Sequence, residues 1–487
     1  MNRVSQTVIG LVAALALVVV AVADERAIRG HVAQEDVERG VWSFSQLRLA
    51  GKLLFQARFT VEDGASRPGA TGNPSPTRRP LGNAPMFIRT AGPDANSCEG
   101  CHNQPETGGA GDFVANVFLS TASREPVITS ISPDLTAERG TPSMHGGGAI
   151  EILAREMTSE LHRSRASAIS LAKTNNDKVR IALSSKGVSF GNLTAEPDGS
   201  VILNEIEGID KDLVVRPWSQ KGTVTSLRTF TINALNEHHG MEATERFGLE
   251  QTGTRDFDRD GVPDEITPGD VTALVVFQAS LPVPGRLLPG DELHQQSVKR
   301  GEVLFENVLC TSCHIPTMTI NYPTFVEPGP YNLEGTMRQS EAKNLFRFSL
   351  TDDIKPGLEK IEGGKAVIHA YTDLKRHRIC DRNKPFFCNE SLVQGFVPID
   401  QFITKRLWDV GNTAPYGHRG DLTTLREAIL NHGGDASSSR LKFEGLTRAE
   451  QDLIIDFLRT LQILPEGSAR VVVQSNDILL PYRDLNQ

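Results

Sequence analysis

Cysteine is scarce in this chain, six residues in 487, too few for a disulfide scaffold. Aromatic residues make up only 6%, with three tryptophans and five tyrosines. No dense basic tract occurs, and 51 Lys plus Arg face 60 Asp plus Glu, a formal charge of -9. The electrostatic footprint of a nucleic-acid binder is therefore missing. Sustained alternation of apolar and polar residues is nearly absent, and no βαβ signal appears. With 43 Gly and 27 Pro the chain reads as globular and loop-rich, long enough for two or three domains.

One long apolar run exists. Val8 to Val22 follows Arg3, and Ala21-Val22-Ala23 precedes Asp24-Glu25. A basic start, a short apolar stretch and a small-x-small end read as a secretory signal over 1–23. The expectation is a mature chain from about Asp24 in the periplasm, with no membrane span once the signal is cleaved.

The cysteines that matter fall in two copies of one motif, Cys98-Glu-Gly-Cys101-His102 and Cys310-Thr-Ser-Cys313-His314. Two thiols three apart can add to the vinyl groups of one haem, and the adjacent histidine then reaches the iron. Chance placement of these residue types gives on the order of 0.002 such motifs. A redox dithiol would want a βαβ frame, and a zinc site gives no reason for a histidine directly after both pairs. Two covalent c-type haems are the expected cofactors. Cys380 and Cys388 bracket a polar loop and are expected to join as a disulfide, which would stabilise by about 2–3 kcal/mol in the chain-entropy account.

Other phrases also occur twice. Gly51-Lys-Leu-Leu-Phe55 and Gly301-Glu-Val-Leu-Phe305 each precede a motif. Trp218 to Leu227 resembles Tyr416 to Leu425, and each runs on to a His-rich phrase, His238-His239-Gly240 and His432-Gly433-Gly434. This order marks an internal duplication. It divides the chain into haem domains at 24–280 and 286–465 and a tail at 466–487, with a Gly/Pro-rich excursion over 60–94. The fold class expected is mainly α, with long loops and minor β. Helical spacing covers parts of Glu25 to Phe59, Ala149 to Leu161, Ser164 to Leu183, Asp270 to Ala279 and Leu446 to Leu461. Thr447 and Glu450 form a capping box for the last. Val201 to Ile206 is a candidate strand.

Asp256-x-Asp258-x-Asp260-Gly261, followed by Asp264 and Glu265, spaces oxygens as a calcium loop does, with Gly at the sharp turn. Thr267 occupies the position where such loops carry their bidentate Glu, so Glu265 is the expected substitute. A solvated acidic turn is the alternative.

Gly108 to Phe118, Val215 to Leu227 and Leu407 to Asp435 complete the pattern. Together with the motifs, they resemble the bacterial di-haem cytochrome c peroxidase superfamily, and more closely its di-haem oxidoreductase branch, labelled thiol oxidoreductases. The resemblance runs from about Gly51 to Leu461. It implies two cytochrome-c-like helical domains, often with calcium near their interface. It also implies electron entry at the C-terminal haem from a small cytochrome c or cupredoxin-type donor, and peroxide chemistry at the N-terminal one.

Residue by residue, the family's distal methionine falls on His432, which with His314 would ligate the second haem. Trp218 falls where a tryptophan lies between the haems. His238 falls on a catalytic glutamate, and His145 and His239 are rival ligands of the first iron. His418 matches a recurring supporting histidine. The expected function is a periplasmic peroxidase-like oxidoreductase. A di-haem electron carrier and a haem-dependent oxygenase acting on an apolar substrate are the alternatives.

Overall fold

A computed structural model describes residues 25–65, 95–119, 136–391, 393–465, 467–468 and 470–474. The expected signal at 1–23, most of the 60–94 excursion and most of the tail lie outside the described residues.

The Gly-x-x-Leu-Phe phrases explain themselves in the packing. Phe44–Gln56 is a helix that crosses the Pro268–Ala279 helix, and Glu292–Asn307 crosses Arg448–Arg459. A Cβ on Gly51 would lie 1.9 Å from the carbonyl oxygen of Ala273, and one on Gly301 would lie 1.9 Å from that of Leu453. Only a residue without a side chain lets either pair approach this closely. Beside each crossing a phenylalanine packs on a second one, Phe55 on Phe277 at 5.2 Å and Phe305 on Phe457 at 5.5 Å. The repeated phrase is thus a repeated helix crossing.

The second echo folds twice as well. Trp218 bridges Val224, and Tyr416 bridges Leu422, each closing a tight antiparallel loop. Next comes an N-cap hydroxyl: Ser226 accepts from Thr229 N to start the Leu227–Ala234 helix, and Thr424 accepts from Glu427 N to start Leu425–Leu430. Such caps are worth about 1 kcal/mol and fix where the helix begins. They therefore fix where the histidines after each helix emerge. The Thr447–Glu450 capping box forms as expected.

The fold class needs correction. The chain is mixed α/β, with fifteen strands in six sheets among the described residues. It is not a mainly α pair of helical domains. Most of the strands are short, such as Met318–Ile320, Arg376–Arg378 and Gln401–Ile403. Three residues cannot display an alternation, so periodicity passes over them. The longest sheet series is antiparallel, Val179–Ser185, Val188–Ala195 and Val201–Ile206. The candidate strand at 201–206 is its third member. The Gly147–Asn175 helix ends at Asn176, in the left-handed region, so the helix expected through Leu183 stops early and Val179 begins a strand.

Two cores lie beneath these elements. The larger one gathers Leu47, Leu153, Phe190, Leu274 and Trp218, and reaches Phe325, Ile368 and Trp408 later in the chain. The smaller one holds Val298, Phe305, Phe443, Ile454 and Phe457 around the second helix crossing. Among the described residues, no helix is long and apolar enough to cross a membrane.

Candidate functional site

Each Cys-x-x-Cys-His motif forms one helical turn with the same hydrogen bonds. His102 N donates to Cys98 O at 3.0 Å, and His314 N donates to Cys310 O at 3.0 Å. Burial pushes the Cys98 and Cys310 thiols up to about 12. A dithiol exchange enzyme needs the opposite shift.

The two imidazoles are fixed alike. Nδ1 of His102 lies 3.3 Å from Gly109 O, and Nδ1 of His314 lies 3.0 Å from Tyr371 O. A carbonyl only accepts, so Nδ1 carries the proton and Nε2 keeps its lone pair. Burial pulls both rings down to about 4, so they are neutral at pH 7. Neutral imidazole with a braced Nδ1 is the form that binds metal.

A second histidine with this bracing stands at each motif. His432 Nδ1 donates to Ala428 O at 2.7 Å, and burial lowers its pKa. His239 Nδ1 donates to Ala95 O at 2.8 Å, and burial lowers its pKa to about 4. His239 Nε2 lies 3.4 Å from Cys98 Sγ. His432 and His314 line one cavity of about 260 Å³, together with Cys310, Cys313, Phe305, Leu425 and Ile429. The donor set, two neutral imidazoles and two thiols around a largely apolar space, fits a c-type haem.

The turn that carries His239 is a π-helical one, Leu235–His239, closed by Gly240 at φ 68. Such turns are uncommon and gather at functional sites. His238 is the neighbour, partly exposed, its ring 6.5 Å from that of His239. His145 is buried, with Nε2 2.9 Å from Glu106. Trp218 is buried and donates from Nε1 to Glu151 at 3.2 Å. His418 stacks on Phe402 with centroids 4.3 Å apart, and its Nε2 lies 3.3 Å from Glu390. Burial and the neighbouring Arg139, Lys221 and Arg419 push it down to about 2. His377 differs: Asp373 and Cys313 outweigh its burial, and it rises to about 10.

Residues 365–461 match a family described as "Di-haem oxidoreductase, putative peroxidase". This match links the chain to the di-haem oxidoreductases. The matched span contains Tyr416, His418 and His432 and begins after the second motif. No curated protein matches the chain. Among solved structures, Kuenenia stuttgartiensis hydrazine synthase is 13% identical, with a TM-score of 0.33, covering 93% of this chain and all of that one. A MauG-like protein associated with microbial copper homeostasis is 15% identical, with a TM-score of 0.28, covering 70% of this chain and 92% of that one. At such values neither likeness bears on fold or function.

The acidic loop draws in a residue that the sequence did not suggest. Glu242, Asp258 and Glu265 are all buried, each with a carboxylate oxygen within 4.8 Å of the others, and Asp256, Asp258 and Asp260 form an overlapping group. Asp264 turns instead to Arg255, 2.5 Å from its Nε. Glu242 lies just past the His238-His239 turn, too far from the loop in sequence for spacing to reveal it. Cys380 and Cys388 form the expected disulfide.

Proposed function

We propose that this chain is a periplasmic di-haem c-type oxidoreductase with an electron-entry site at His314 and His432 and a peroxide-reactive site at His102. The observation that carries this reading is the matched pair of sites, each a Cys-x-x-Cys-His turn faced by a second, neutral, carbonyl-braced histidine. Haem, when bound, would supply a one-electron iron centre and a place for peroxide.

The chain supplies everything around that chemistry. Cys98 and Cys101, and Cys310 and Cys313, hold one haem each within the two units expected from the duplication. His102 and His314 would offer Nε2 to the iron. His432 is the second ligand at the C-terminal site. His239 keeps an unprotonated Nε2 at the first site, where it serves as an exchangeable ligand or accepts a proton. His238, partly exposed, relays protons to solvent. Trp218, buried and tied to Glu151, is the proposed path for an electron. A small cytochrome c or cupredoxin-type protein is the proposed donor.

A pure electron carrier is the second reading, and His239 beside Cys98 favours it. Low-temperature EPR of the oxidised and half-reduced holoprotein separates the two. The proposal expects one high-spin ferric signal that changes on adding peroxide. Two low-spin signals that never change would leave only the carrier.

Calcium is proposed at Glu242, Asp258 and Glu265, with Asp256 and Asp260 alongside. Three buried carboxylates this close repel one another, and a divalent cation offsets that cost. Calcium at about 100 times its dissociation constant should add about 2.7 kcal/mol of stability to the chelator-stripped holoprotein. A thermal midpoint indifferent to calcium would remove the assignment.

A further inference from the structure

The cavity between His314 and His432 is apolar along most of its wall, but Lys405 and Arg406 enter it side by side. Arg406 is buried; its guanidinium donates to Ser143 O and lies 5.9 Å from the centre of the Trp218 ring. Its Nε stands 3.9 Å from Asp409, and within the protein it has no hydrogen-bond partner. Lys405 is pulled down to about 7, first by burial and then by the charge of Arg406, with Asp409 only partly opposing. A buried guanidinium and a half-buried neighbouring amine therefore share one carboxylate, Asp409.

Of the other carboxylates by the cavity, Asp435 accepts from Arg378 N at 3.1 Å and lies 3.7 Å from His377. Glu390 is already engaged by Arg139 at 2.6 Å and by Lys221 at 3.2 Å. A buried guanidinium short of counter-charge is costly unless an anion arrives. A planar guanidinium beside an ammonium is suited to carboxylate. The shape of the cavity limits which carboxylate that is, because the pocket is walled by the second motif and its facing histidine.

We propose that Lys405 and Arg406 form a carboxylate subsite at the polar end of this cavity, occupied by the propionate groups of the haem attached at Cys310 and Cys313. This rests on the haem reading of the second motif. Arg406, through Ser143 and Trp218, then places those propionates at the seam between the two sites. Both residues are positioning groups: they neutralise and orient, and neither touches the iron.

The same subsite could take an external small carboxylate, so the test has two arms. Holoproteins carrying Arg406→Gln, Lys405→Met, Arg406→Lys or, as an exposed control, Lys442→Met are first checked for haem content. A chain with no haem at Cys310 and Cys313 overturns the haem reading and this subsite with it. With haem present, the potential of the second haem is measured by spectroelectrochemistry, and its propionate bending mode by resonance Raman.

The proposal expects Arg406→Gln and Lys405→Met each to lower the potential and shift the bending mode. Arg406→Lys should keep most of the potential, and Lys442→Met should change neither reading. None of these results should depend on added formate or acetate. Unmoved potential and bending mode in both charge-removing variants would overturn the subsite. A wild-type response to formate that disappears in Arg406→Gln would assign it to an external carboxylate and overturn the propionate assignment.

Discussion

The Cys310→Ala/Cys313→Ala double variant is expected to carry half the covalent haem of the wild-type chain. Intact mass of the denatured protein and the pyridine haemochrome spectrum would both read the loss. In the proposed arrangement two thioether bonds would hold each haem, and the two motifs use separate turns, separate imidazoles and separate facing histidines. Losing one haem should therefore leave the other in place. The matching Cys98→Ala/Cys101→Ala variant should lose the other half. Undiminished haem in either double variant would refute covalent attachment there.

The duplication explains why so much of these sites was legible. Gly51 and Gly301 sit in repeated phrases because each lets two helices meet at backbone distance. Ser226 and Thr424 recur because each starts the helix that leads to a histidine. The Thr447–Glu450 box acts over three residues, and that is local enough to read directly. In each case a contact that decides the fold is written within a short stretch of chain.

What was not legible is set by distance along the chain. Alignment by spacing put His238 at the acid/base position and left His145 and His239 as rival ligands. The π-helical turn brings His239 to 3.4 Å from Cys98, a contact that spacing does not show. Glu242 reaches the acidic loop through tertiary packing alone. Lys405 and Arg406 stand out only once the cavity they line is seen. The short strands fail for a different reason, since their pairing partners, and not their own composition, make them strands. Met318–Ile320 is held by Lys365–Ile368, far along the chain.

Arg228→Met is expected to cost about 3–5 kcal/mol of stability, because it strands two buried carboxylates. Arg228 is fully buried. It donates from Nη1 to Glu327 at 2.8 Å and to Thr272 at 3.0 Å, and from Nη2 to Glu245 at 2.5 Å and to Pro268 O at 3.0 Å. It therefore ties the Leu227–Ala234 helix to the start of the Pro268–Ala279 helix and to the strand Thr324–Glu327. Burial already raises the pKa of Glu327 even with Arg228 and Arg155 opposing.

Without the guanidinium, Glu327 should rise further and bind a proton in the folded state before it does so unfolded. A carboxyl whose folded pKa is raised destabilises the fold at neutral pH and does so less as pH falls. The gap between variant and wild type in urea unfolding should therefore narrow toward acid. Arg228→Met/Glu245→Gln/Glu327→Gln should recover part of the loss at pH 7, since no buried charge is then left alone. A single variant within about 1 kcal/mol of wild type at pH 7 would mean that water or another cation serves these carboxylates, and the network would lose its place as the tie between the two halves of the chain.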